Sequence, residues 1–343
     1  LNNNIQNMSG LHSGAQKQAA MSRDRAALKS LLSSASSNSV SGVLSALTPY
    51  VSLESTTFEA VSQFKDGRMR TVMHFAAQSW SKDVVGWVRD TIEKEGVGEE
   101  EKKSFVNGKD EKGITPLMCL CMNLPPPSTP PTNLPSILST ILSLLPSSSL
   151  TTTSDSGATA LHYASGSGLL PAVQLILSKP EGRDCTLKLS EAGTPLHWVA
   201  GSPHENAPSI IKHLLDVSPA SVNKPAPNGL PPLVTAAAGG LDSNASALIS
   251  NGADCGVVLG GNVTIAHIAA DNGMLETLKA MAVTEVGLRA MVVVNDEGET
   301  PAELAAGQEY EECARVIIEA TKGAEGRKGG WEEVYKELQK ISS

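Results

Sequence analysis

The stretch AGTPLHWVAG, residues 192–201, contains a seven-residue phrase that decides how this sequence folds. The phrase begins at Thr194 and recurs six more times with variations. The other copies are TVMHFAA at 71–77, TPLMCLC at 115–121, TALHYAS at 159–165, PPLVTAA at 231–237, TIAHIAA at 264–270 and TPAELAA at 300–306. They represent either one chemical site used seven times or the start of one structural unit used seven times.

The spacing and the order of the phrase favour a structural unit. Successive copies start 44, 44, 35, 37, 33 and 36 residues apart, and a unit of about 33 residues with insertions is typical of helical repeats. Thr is a good N-cap, because its hydroxyl accepts a hydrogen bond from the first turn, and Pro suits the first helical position. His74, His162, His197 and His267 follow three residues after the cap. We expect each ring to bond nearby backbone and to tie one repeat to the next.

The phrase resembles the ankyrin repeat, whose pattern is D-x-x-G-x-T-P-L-H-x-A-A-x-x-G. The segment DEKGITPLMCL at 110–120 matches its first half, except for Met118 where His is usual. Each phrase is followed by a second apolar helix, such as PSIIKHLLD at 208–216. The segments EAGTPLHWVAG, IAHIAADNGMLETL and DEGETPAELAA are similar to the ankyrin arrays of plant-type proteins that continue into tetratricopeptide repeats. The resemblance implies an all-α ankyrin-repeat solenoid that serves as a protein-interaction module.

The remaining sequence predicts the boundaries of this array. Residues 1–14 are expected to be disordered, 15–62 to form a helical N-terminal cap, 63–322 to hold seven ankyrin repeats, and 323–343 to be a linker and an amphipathic helix. Two insertions account for the spacings of 44: a charged loop near 96–108 and a Pro-rich, extended segment near 124–136. The second contains P-x-x-P, which suits either a ligand for an SH3-like or WW-like domain or a stiff surface loop.

Composition and missing motifs exclude several classes of function. The net charge of −9 opposes binding to nucleic acid and to anionic membranes. The five cysteines include no CxxC pair, and neither a phosphate-binding glycine loop, HExxH nor G-x-S-x-G occurs. We therefore predict no enzyme, cofactor or metal, but a monomer that binds a protein partner. The cytoplasm is the expected compartment, with the nucleus as an alternative, and a basic, Ser-rich segment over 1–40 only loosely fits an organelle transit peptide.

Partner binding is expected at the turn tips and at the ends of the first helices, which should line up on one concave side. The predicted contacts at the tips are Arg68, Arg70, Glu111, Lys112, Ile114, Ser156, Ala158, Glu191, Asn228, Leu230, Asp296, Glu297 and Glu299, and those on the first helices are Gln78, Ser79, Trp198, Asp271 and Asn272. The tips run from basic to acidic, which favours a partner of complementary charge. Trp198 is either an anchor for the partner or a filler between adjacent helices. The alternative function is a regulatory or targeting region of a larger enzyme or ubiquitin-ligase adaptor.

Overall fold

The structure is a computed structural model that describes residues 14–50, 57–125, 138–140 and 150–322, with side chains from residue 25. The contacts divide the chain into an N-terminal unit, residues 1–185, and a C-terminal unit, residues 186–343. The described residues are predominantly helical, and their only β-type pairings are two isolated bridges, Ser190–Gly193 and Val258–Thr264. The all-α prediction is thereby confirmed. The predictions for 1–13, for most of 124–136 and for 323–343 lie outside the described residues.

Ten α-helices are described in the N-terminal unit. They are α1 (Gly14–Ser36), α2 (Val40–Leu47), α3 (Thr57–Ser62), α4 (Val72–Gln78), α5 (Lys82–Glu95), α6 (Glu99–Val106), α7 (Pro116–Met122), α8 (Ala160–Gly166), α9 (Leu170–Leu177) and α10 (Pro180–Arg183). A 3₁₀ turn, Thr48–Tyr50, follows α2. Helix α1 packs on α2 and α4, and the first helices α4, α7 and α8 pack on one another in chain order.

Nine α-helices are described in the C-terminal unit. They are α11 (Pro195–Ala200), α12 (Ala207–Val217), α13 (Pro232–Ala238), α14 (Asp242–Ser250), α15 (Ile265–Asp271), α16 (Leu275–Ala282), α17 (Glu285–Ala290), α18 (Pro301–Gly307) and α19 (Glu311–Thr321). Two 3₁₀ turns span Pro219–Ser221 and Gly260–Asn262. The first helices α11, α13, α15 and α18 stack in that order, and the second helices α12, α14, α16 and α19 stack beside them.

Each of the seven phrases begins a first helix, as predicted, and its first residue is the N-cap. The Thr115 hydroxyl accepts from the N–H of Met118 at 3.4 Å, and Thr300 accepts from Glu303 at 3.3 Å. Pro231 has no hydroxyl, so α13 starts without a side-chain cap. The small residues late in the phrase, such as Ala269 and Ala270, are fully buried, which lets neighbouring helices pack closely.

The expectation of a charged loop near 96–108 is wrong, because most of this insertion is helix α6. Three glutamates occupy its first turn, where the helix dipole favours negative charge, and Lys103 lies in the last turn. Phe105 and Val106 are buried, and the Phe105 ring meets Phe58 edge-to-face with 5.3 Å between ring centroids. The charges cover only the outer face of α6, and two apolar residues anchor it.

Candidate functional site

The histidines of the phrase bind backbone within and between repeats. Nδ1 accepts a hydrogen bond from the N–H of the capping Thr, at 3.1 Å in His74, His197 and His267 and at 3.0 Å in His162. Nε2 contacts a carbonyl oxygen of the next repeat in three cases: His74 with Ile114 at 3.1 Å, His197 with Leu230 at 3.0 Å, and His267 with Glu299 at 3.3 Å. Each of these carbonyls belongs to the residue directly before the next N-cap. The expectation that His ties one repeat to the next is confirmed at these three junctions.

The same hydrogen bonds specify which tautomer these rings adopt. Since Nδ1 accepts from an N–H, the proton of the neutral ring is on Nε2, which donates to the carbonyl. Burial lowers the pKa of His74, His197 and His267 below the ordinary value, although the contacted carbonyl acts in the opposite direction. These histidines are therefore neutral structural groups at pH 7, with both ring nitrogens occupied by the fold.

In three repeats the turn tip is held by a short polar side chain at the start of the turn. Asp66 Oδ1 accepts from the N–H groups two and four residues later at 2.9 and 2.8 Å, and Asp110 does the same at 2.9 and 2.9 Å. Asn295 repeats the pattern at 3.1 and 2.8 Å. Burial alone would raise the pKa of Asp66, but hydrogen bonds from Arg70 and Arg68 outweigh it and hold the pKa below its ordinary value.

Neighbouring tips are also joined by backbone hydrogen bonds within each unit. In the N-terminal unit, the N–H of Glu111 donates to the carbonyl of Arg68, and that of Asp155 donates to Lys112, both at 3.0 Å. In the C-terminal unit, the N–H of Asp296 donates to Gly261 at 2.9 Å. Within each unit these hydrogen bonds join neighbouring tips into an ordered edge, on which Glu111, Lys112 and Asp296 are exposed.

Several predicted contacts of the N-terminal unit lie on this edge. Arg68, Glu111 and Lys112 are exposed at the tips, Ser156 is half-buried, and Gln78 and Ser79 lie at the end of α4. Arg68 Nε is 3.5 Å from Glu111 Oε1, and the two side chains are 66% and 46% exposed. The positive charge of Arg68 at the first tip is thus partly neutralised by Glu111 at the second tip.

Three predictions in this unit need correction. Ile114 and Ala158 are buried, with 8% and 0% of their surface exposed, because each side chain points into the repeat from directly before the N-cap. Arg70 is bound to its own turn: its Nη2 is 2.8 Å from Asp66 Oδ2, and its guanidinium carbon lies 4.4 Å from the centroid of the Phe75 ring. These three residues belong to the fold and are removed from the candidate surface.

The predicted contacts of the C-terminal unit are more accessible. Glu191, Asn228, Asp296 and Glu297 are exposed at the tips, whereas Leu230 and Glu299 are half-buried. Asp271 and Asn272 are exposed at the end of α15, where Asp271 Oδ1 accepts from Gln308 Nε2 at 2.8 Å. Half-buried Trp198 donates from Nε1 to Ser190 Oγ at 3.0 Å, which holds the indole against the tip of its own repeat.

Sequence reasoning missed two features of the candidate surface. The tip at Gly260–Asn262 is exposed but received no predicted contact. Met69, at the first tip, is 49% exposed and has a positive φ of 63°. Aligning DGRMRT with DEKGIT, residues 66–71 and 110–115, would have found Met69, since it stands where the other repeat has Gly113.

The described residues offer little for catalysis or metal binding. No group of three or more His, Cys, Asp or Glu in this part of the chain is arranged to hold a metal ion. All five cysteines are buried; burial, helped by the charge of Asp110, raises the pKa of Cys119 to about 12, and burial raises that of Cys121 further. These two thiols are not activated nucleophiles at neutral pH. None of the described helices is both long and apolar enough to cross a membrane.

Comparison with known proteins agrees with the repeat geometry. The model of the family described as Ankyrin repeats (3 copies) matches residues 161–258 and 236–327. The E3 ubiquitin-protein ligase KEG of Arabidopsis thaliana is 31% identical over 112 residues, which are 32% of this chain and 7% of KEG. The similarity therefore concerns a small part of that relative's length.

Proposed function

This chain contains ankyrin repeats, and from that premise we propose that it is a scaffold or adaptor that binds a protein partner through its turn tips and first-helix ends. One observation carries the proposal. In every repeat that has the Thr–His pair, both side chains are buried and hydrogen-bonded within the fold, whereas tip residues such as Arg68, Glu111 and Asp296 are exposed. The buried residues of the phrase are required for folding, whereas the exposed tip residues can vary between repeats without disturbing the fold.

Charge supports the C-terminal unit as the main surface. Residues 186–322 contain seven Lys and Arg against sixteen Asp and Glu, whereas residues 1–185 contain sixteen of each class. Among the described residues, Glu191, Asp271, Asp296 and Glu297 form no ion pair with a basic side chain. This unit is therefore suited to a partner segment that carries Lys or Arg, with Trp198 as the apolar anchor.

Charge reversal at one tip tests this function. Asp296→Lys with Glu297→Lys should reduce recovery of the partner in an affinity experiment read by mass spectrometry, and should make the remaining binding less sensitive to salt. The matched control is Asp216→Lys with Glu319→Lys, which changes the charge equally on the second helices α12 and α19. Equal recovery by wild type and both variants would place the binding site elsewhere.

A second function is favoured by the similarity to a ubiquitin ligase. We propose as the alternative that these repeats are the targeting region of a larger protein of that kind. Immunoprecipitation of the endogenous protein from its source, followed by measurement of its mass and an assay for ubiquitin transfer, tests this alternative. A mass equal to that of this chain, without ubiquitin transfer, would reject it.

A further inference from the structure

Met69 occupies a backbone position that other repeats give to glycine. Two residues before the N-cap, four repeats place Gly113, Gly157, Gly229 and Gly298, with φ angles of 72°, 79°, 82° and 88°. One repeat uses Asn262, with a φ of 57°, and Asn tolerates this left-handed region better than most residues. Met69 adopts the same conformation at φ 63°, although a side chain with Cβ is disfavoured there.

Met69 lines a cavity of about 180 Å³ in the N-terminal unit. Its apolar lining is completed by Phe58 from α3 and Phe105 from α6, which are 1% and 6% exposed. The cavity depends on α6, the helix formed by the first insertion, and on the helix α3 that precedes the repeats. Through Met69 it adjoins the first turn tip of the surface proposed above, but none of its lining residues is one of the predicted contacts.

Charged and polar side chains complete the cavity and define what it can hold. Lys65 from the segment after α3 and Lys109 from the segment after α6 both line it, and Glu101 is the one carboxylate among the lining residues. Lys65 is exposed, while Lys109 Nζ donates to the carbonyl of Thr153 at 2.7 Å. Two lysines against one carboxylate give the lining a net positive charge, and together with the apolar floor this suits a ligand with a compact apolar group next to an anion.

We propose that this cavity is a second docking site, which takes one large apolar side chain, next to an Asp or Glu, from an extended segment of a partner protein. Methionine suits such a wall, because its flexible thioether adapts to the entering group and makes favourable contacts with aromatic rings. The site also explains why a residue disfavoured in the left-handed conformation stands where glycine would fit. Backbone strain of this kind is typical of binding sites.

The site can be tested with a small probe on the full chain. The probe is 3-phenylpropionate, a phenyl ring on a short tether that ends in a carboxylate, observed by saturation-transfer NMR. We expect clear transfer to this anion and weaker transfer to phenethylamine, its cationic counterpart. Lys65→Glu should weaken the anion about threefold or more, as expected for loss and reversal of an exposed ion pair, and Ser104→Phe, which fills the cavity, should abolish binding.

Melting temperatures of Met69 variants separate an effect on the cavity from an effect on the backbone. Met69→Gly should raise the melting temperature, by relieving the backbone, while weakening the probe. Gly229→Met is the matched control: it places the same side chain at a φ of 82°, with no atom within 4 Å of the new Cβ. It should lower the melting temperature and leave probe binding unchanged. Absence of transfer to the wild type, equal transfer to anion and cation, or binding unaffected by Met69→Gly and Ser104→Phe would overturn the proposal.

Discussion

The N-terminal and C-terminal units are built on the same helix start but differ in what surrounds it. His74 in the first unit, and His197 and His267 in the second, each bridge from their Thr cap to the next repeat. The first unit adds helix α6 and has phrase spacings of 44, whereas the second keeps spacings of 33 to 37. The family match begins only at residue 161. Both units therefore keep the same hydrogen-bonded helix start, although their phrase spacings differ and the family model matches only from residue 161 onward.

The largest expected effect comes from two glycines, one in each unit. A Cβ on Gly182 in α10 would overlap the carbonyl oxygen of Ile176, and one on Gly287 in α17 would overlap that of Met281. Gly182→Ala and Gly287→Ala should each lower the free energy of unfolding by about 3 kcal/mol, since backbone has to move. Denaturant unfolding measures this.

The control for both is Gly86→Ala. Gly86 lies inside α5, and a Cβ added there would have no atom within 4 Å, so alanine should stabilise the chain by about 0.5–1 kcal/mol. A cost below about 1 kcal/mol at only one of the two glycines would show that the units do not share this close approach.

The next effect compares the histidine bridges of the two units. His74→Ala and His197→Ala each leave the N–H of a buried Thr and a carbonyl of the next repeat without a partner. Each should cost about 2–3 kcal/mol, from the unsatisfied polar groups and the space left behind. His204→Ala, in the connection before α12, should change the stability by less than about 0.5 kcal/mol. If only His197→Ala lowered the free energy of unfolding, the histidine bridges of the two units would not be equivalent.

Acid should weaken both units through the same rings. The folded pKa values of His74, His197 and His267 are lowered, mainly by burial, so the unfolded chain binds more protons. The stability supplied by the neutral rings is complete above the unfolded pKa of about 6.5 and is lost as the pH falls toward the folded values. Unfolding curves between pH 7.5 and pH 5 should show this loss, and a stability that rises over this range would contradict it.

The smallest expected effect concerns the caps. Thr71→Ala and Thr194→Ala remove the hydroxyl that accepts from the first turn and contacts His Nδ1, and each should cost about 1 kcal/mol. Thermal unfolding of the two variants measures it. If Thr71→Ala left the stability unchanged while Thr194→Ala lowered it, helix α4 would depend on packing more than on its cap.

Most of the repeat framework could be predicted from the sequence, because it depends on local rules. Thr at the cap, Pro at the first helical position and His three residues on specify a helix start that needs no knowledge of neighbours. Helix α6 was missed because its run of Glu and Lys looks like a loop, and only Phe105 and Val106 pack inward.

The candidate surface was harder to predict. The exposure of a side chain depends on the direction in which the turn points it and on contacts with residues that can be distant in the sequence. Ile114 and Ala158 share the tip with exposed residues, yet the strict turn geometry points their side chains inward. From the sequence, Arg70 is expected to be a free positive charge. In the structure its guanidinium binds the Asp66 carboxylate and lies over the Phe75 ring. Arg68, similarly, is paired with Glu111 across 43 positions of sequence.

The most direct test of the account is the protonation state of the bridging histidines. In protein labelled with ¹⁵N in its imidazole rings, NMR at pH 7 should show His74, His197 and His267 as neutral rings with the proton on Nε2. They should stay in that form as the pH falls below 6.5, while a free histidine would already be half protonated. Rings that carry the proton on Nδ1, or that titrate at the ordinary pKa, would contradict the claim that the recurring phrase is a structural bridge.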